Sequence, residues 1–82
     1  MRLQKVREAL DKKRITYKYS EEDGCGSLDF LFRGLSFHVW EFCDDGWGAE
    51  TNIFNVGRSQ DLEGDYEAEI AAEILSWPDM IA

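Results

Sequence analysis

The chain has one proline, one histidine, two cysteines and no long apolar run, and each scarcity removes a class of protein. Cys25 and Cys43 are too few for the disulfide framework that staples small secreted scaffolds. They also fall short of the four nitrogen or sulfur ligands of a structural zinc site, and no Cys-x-x-Cys pair occurs. Two separate reduced thiols are therefore expected. No stretch approaches the roughly 18 apolar residues of a membrane-spanning helix, and the basic start "MRLQKVREALDKKR" lacks the apolar segment of a secretory signal. The expectation is a soluble, cytoplasmic chain with no membrane partner. Glycine-rich phosphate loops, HExxH and GxSxG are missing too, so no motif argues for catalysis.

Basic residues are scarce after the first quarter of the chain. Residues 1–20 hold seven lysines and arginines against Glu8 and Asp11, whereas residues 21–82 hold only Arg33 and Arg58 against fifteen acids. The net charge of -8 disfavours nucleic acid as a ligand, because phosphates require cationic surface. What is plentiful is aromatic: 13% of the 82 residues, enough to support a core in one small domain spanning residues 1–82.

The pattern of apolar residues divides the chain. Leu3, Val6 and Leu10 give an amphipathic helix over residues 2–13. "ITYKYSE" alternates as a half-buried strand, and "LDFLFR" and "LSFHVWEFC" follow as two more around an Arg33-Gly34 turn. "AETNIFNV" reads as a fourth, less regular strand, and "GRSQDLEG" as a connection without periodicity. "DYEAEIAAEILSW" is the clearest helix, with Asp65 as N-cap, Glu67 and Glu69 at the positive pole, and Pro78 ending it at Trp77. The expected fold class is α+β: a four-stranded antiparallel meander with the N- and C-terminal helices packed on one face.

The Arg33-Gly34 turn fixes a register in which Phe32 faces Leu35, Phe30 faces Phe37, and Leu28 faces Val39. All six are apolar, so this is the core face. The other face then holds Leu31, Trp40 and Phe42, with Asp29 opposite His38. Continued alternation also sends Glu41 to the core side, which is costly for an unpaired carboxylate. A bulge near Val39–Glu41 could return Trp40 or Phe42 to the core. Alternatively Glu41 emerges past the edge of the core, or a second protein buries the aromatic face.

The functional expectation is a small non-catalytic interaction module that self-associates as a homodimer or binds a protein partner. Its expected interface residues are Leu31, Trp40, Phe42, Trp47 and Phe54, with Asp29 and His38 as a polar rim. No catalytic residue, metal or cofactor is assigned. A second reading is an acidic inhibitor whose carboxylates imitate nucleic-acid phosphates and block a DNA- or RNA-binding protein. A third is a weak metal site or enzyme at the end of the sheet that collects Glu21, Glu22, Asp23, Asp44 and Asp45 with the two cysteines. The helix–strands–helix order is similar in outline to double-stranded-RNA-binding domains. The four strands and the acidic last helix depart from that pattern, so no residue role is carried over.

Overall fold

Where the chain turns decides how its strands pair. The computed structural model describes residues 1–78, in the order α1 (Gln4–Lys12), β1 (Tyr17–Glu22), β2 (Cys25–Phe32), β3 (Leu35–Cys43), β4 (Trp47–Thr51), β5 (Gln60–Glu63) and α2 (Tyr66–Ser76). The strands form an antiparallel meander in which each pairs with its neighbours in sequence. Asp23-Gly24 and Arg33-Gly34 both take positive φ, the two-residue geometry whose twist matches that of paired strands. The second of these turns sets β2 against β3 with Phe32 facing Leu35, Phe30 facing Phe37 and Leu28 facing Val39.

Both helices cover this apolar face. From α1 come Val6, Ala9 and Leu10, preceded by Leu3; from α2 come Tyr66, Ile70, Ala71 and Ile74. They close on Leu28, Phe30, Phe37, Val39 and Ala49 from the sheet. Trp77, held in extended backbone ahead of Pro78, stacks on Phe32 with ring centroids 4.7 Å apart. The α1 helix ends in a Schellman motif: Arg14 takes φ 58, its N–H donates to the Asp11 carbonyl, and the Ile15 N–H donates to the Leu10 carbonyl. Leu10 and Ile15 are both buried, which supplies the apolar contact usual for this motif.

The helices run parallel. At their starts the Lys5 N–H donates to Glu67 Oε1 at 3.2 Å, and at their ends Lys13 Nζ donates to the Trp77 carbonyl at 2.5 Å. Glu67 thus satisfies an amide at the start of α1, where Leu3 occupies the N-cap with no side-chain oxygen to offer. Asp65 occupies the N-cap of α2 but makes no side-chain capping bond.

The sheet has five strands, not the four expected. The connection "GRSQDLEG" contains β5, which pairs with β4 through residues such as Leu62 opposite Ala49. Its apolar alternation is invisible because it is a short edge strand whose one large apolar side chain is Leu62. The expected strand "AETNIFNV" is correspondingly cut short at Thr51. Beyond it the Asn52 side chain takes the place of a backbone rung: Oδ1 accepts from the His38 N–H and Nδ2 donates to the Ser36 carbonyl, both at 3.0 Å. Ile53 can then leave the ladder and enter the core.

Candidate functional site

Glu41 lies on the helix side of β3, which pairs in constant register and without a bulge with β4 from Val39 to Cys43 and with β2 from Leu35 to Trp40. It is 6% exposed. Its carboxylate meets four donors: Arg2 Nε and Gly26 N–H on Oε1, at 3.0 and 2.9 Å, and Arg2 Nη2 and Tyr66 Oη on Oε2, at 3.0 and 2.5 Å. Burial alone would raise the carboxyl's pKa, but the bonds from Arg2, Tyr66 and Gly26 outweigh it and hold the pKa below the ordinary glutamate value. The bond to Glu41 in turn raises the pKa of the Arg2 guanidinium. The Tyr66 hydroxyl is raised by burial first and by the carboxylate second. Both helices begin at this end of the sheet, so the buried negative charge sits near their two positive poles.

The surroundings of this ion pair are fitted to it. A Cβ on Gly26 would stand 2.8 Å from Arg2 Cβ and 3.3 Å from Glu41 Oε1. The Arg2 N–H donates to Tyr19 Oη, Arg7 Nε donates to the Arg2 carbonyl, and the Arg2 guanidinium lies 4.1 Å over the Trp47 ring. Trp47 therefore belongs to the helix side, opposite Cys43 in the ladder, and acts as a platform for Arg2. Its expected place on the open face is not where the fold puts it. The reason is parity: the short loop between Cys43 and Trp47 returns the chain with both residues on the same side as Glu41.

Constant register also fixes the helix-free face as a lattice of rows across the sheet. One row runs Ser20, Ser27, Trp40, Glu50, Asp61. Toward one end the β2–β3 pairing stops at Ser27 and Trp40, and two separate pieces continue: Glu22 opposite Cys25, and Phe42, Gly48 and Glu63 in line. Toward the other end lies Lys18, Asp29, His38, with the Asn52 side chain beside it. Leu31 lies beyond, opposite Ser36, and is 65% exposed.

Trp40 is 42% exposed at the centre of this face. His38 stacks on it with centroids 4.1 Å apart, and its indole Nε1–H donates to Asp29 Oδ1 at 3.3 Å. Asp29 and His38 are direct cross-strand neighbours, yet each is engaged with Trp40. His38 Nε2 instead lies 3.1 Å from Ser59 Oγ and 3.3 Å from Glu50 Oε2. Because serine and carboxylate meet the same ring nitrogen, the trio lacks the nucleophile-on-one-nitrogen, orienter-on-the-other geometry of a proton relay.

Phe42 lies against Gly48. A Cβ on that glycine would come within 2.6 Å of the Phe42 ring and 2.7 Å of the Leu62 carbonyl oxygen. The ring covers a gap that only glycine leaves, and this accounts for its half-burial. Phe54 is exposed in the loop between β4 and β5 and is not part of a strand. No pattern in the sequence points to Glu50, Ser59 or the Arg2–Tyr66 pair. Finding them requires the β3–β4 register and the approach of the N-terminus, which no local spacing encodes.

The acidic end of the sheet contains a shallow open depression of about 390 Å³ whose lining includes Glu22, Asp23 and both cysteines. The thiols are free. Cys25 has the strand parity of the open face and Cys43 that of the helix face, and both border the same depression without a bond between them. Among the described residues no three His, Cys, Asp or Glu side chains form a group that could hold a metal ion. Among the same residues, no helix is long and apolar enough to cross a membrane. No family model matches this sequence, no curated protein matches it significantly, and no solved structure matches it significantly.

Proposed function

We propose that this chain is a non-catalytic interaction module that binds a protein partner through its helix-free sheet face, with Trp40 and Leu31 as anchors. The observation that carries this reading is the use of both helices on one side. They cover the Phe37–Val39 face and leave Trp40 and Leu31 substantially exposed on the other. An antiparallel sheet with one solvated face ordinarily turns polar residues outward. Here an indole and a leucine take those positions, while the neighbouring glutamate goes inside. Phe42 contributes apolar area but is already engaged in covering Gly48. His38 stacks on the Trp40 ring and Asp29 accepts its Nε1–H, a pre-ordering that lowers the entropic cost of using it as an anchor.

A photo-crosslinking residue in place of Leu31, compared with one in place of Glu69 on α2, tests the reading in an extract of the native host. The expected result is a discrete protein adduct from position 31 that disappears with Trp40→Ala. Absence of any adduct from position 31, or one unaffected by Trp40→Ala, overturns it.

A further inference from the structure

Resting on that reading, we infer that the partner presents a basic protein segment and lays an arginine guanidinium on Trp40 beside Glu50. Charge is the first ground. In the sheet lattice Trp40 lies directly opposite Glu50, and Asp61 lies directly opposite Glu50 on its other side. Next along the same face lie Glu22, opposite Cys25 in β2, and Glu63, opposite Gly48 in β4, while Asp29 lies on the β2 side of the indole. Of the described strand residues on this face, only Lys18 is a lysine or arginine, and it lies beyond Asp29 in the ladder.

The second ground is that Glu50 and Asp61 are an unfavourable pair. Like charges directly opposed across two strands repel, and His38 reaches only Glu50. An added cation between them would relieve the repulsion as it binds. The third ground is geometry. Guanidinium groups stack on indoles and fork onto carboxylates, and the face sets an exposed indole beside such a carboxylate. The molecule already uses this combination once, where Arg2 lies over Trp47 and forks onto Glu41.

The same charges argue against a second copy as the occupant. Two open faces brought together around Trp40 would confront Glu50 and Asp61 with their own duplicates, which desolvation makes worse. Nucleic acid meets the same objection from its phosphates.

The test is fluorescence anisotropy of a short labelled peptide of alternating arginine and valine, with glutamine-for-arginine and lysine-for-arginine versions as comparisons. The arginine peptide is expected to bind at least about tenfold tighter than the glutamine peptide and measurably tighter than the lysine peptide, with affinity falling as salt rises. Trp40→Ala and the pair Glu50→Gln/Asp61→Asn should each weaken it by about tenfold. The pair Glu8→Gln/Glu69→Gln, which removes the same charge from the helices, should leave it within about twofold. The Glu50/Asp61 pair removes a repulsion, so its fold should persist, and a thermal melt checks this. Equal weakening by the helix pair, or no preference for arginine, overturns the inference. An adduct from position 31 at twice the mass of the chain would also overturn it while leaving the interface reading intact; no adduct at all removes that reading itself.

Discussion

Trp40 and Glu41 are adjacent in β3 and face opposite sides of the same sheet, yet their fates invert ordinary expectation. The carboxylate is buried and the indole is exposed. On the helix side every demand of the charged group is met: a forked arginine, a tyrosine hydroxyl, a backbone amide and a glycine that makes room for them. On the open side the carboxylates Glu50 and Asp61 face each other across two strands. A buried charge persists only when its surroundings are complete, whereas an exposed one can be left unbalanced because water screens it. Completeness marks the helix side as structural, and imbalance on the other side is what motivates the partner proposed for it.

Substitutions on the two sides should therefore differ in size and sign. Glu41→Ala is expected to have the largest effect, destabilising the fold by about 3 kcal/mol in urea titration, because it strands Tyr66 and the Gly26 amide and leaves Arg2 without its acceptor. Lowering the pH should reproduce part of this loss. Since folding depresses the Glu41 pKa, its contribution is present above the unfolded glutamate value of about 4.3 and disappears as pH falls through the folded value. The acid limb of a stability–pH curve should accordingly flatten in the Glu41→Ala protein; an unchanged limb would show that other groups govern acid unfolding. Tyr66 has the opposite sign. Its raised pKa gives stability that is present below about pH 10 and lost as pH climbs through the folded value.

Gly48→Ala probes a place where the two strands meet the open face. Its Cβ would meet the Leu62 carbonyl oxygen, which cannot swing away as the Phe42 ring can, so a loss of about 2 kcal/mol is expected. Trp40→Ala should cost only about 1 kcal/mol in a thermal melt, because it removes one stack and one exposed hydrogen bond. A cost equal to that of Glu41→Ala would mean that Trp40 is structural and that the contrast between the faces is wrong. Glu50→Gln is the smallest perturbation. It relieves the repulsion with Asp61 at the expense of a contact with His38, leaving stability within about 0.5 kcal/mol of the original.

How much of this was legible in the sequence depends on how local the cause is. The β2–β3 hairpin is readable because Arg33-Gly34 admits a turn whose register places six apolar residues together. The α2 helix is readable from its spacing and from Pro78. The fifth strand is not, since β5 exists through backbone pairing to β4 and carries almost no apolar alternation. Nor is the end of β4 at Thr51, where the Asn52 side chain imitates a peptide group and lets Ile53 turn into the core. The candidate site divides the same way: Leu31, Trp40 and Phe42 follow from strand parity, whereas the displacement of Trp47 to the helix side depends on a loop that preserves parity.

By itself the sequence determined the class of fold, the central hairpin and the face on which Trp40 stands, because alternation and a two-residue turn are properties of neighbouring residues. It also posed the problem of Glu41 without an answer. Only the tertiary structure decided that, by bringing Arg2 from the start of the chain and Tyr66 from the start of α2 to one carboxylate. Contacts so distant in sequence leave no periodic trace. They are chosen by the cost of a buried charge, which the fold can meet only once the helices have docked.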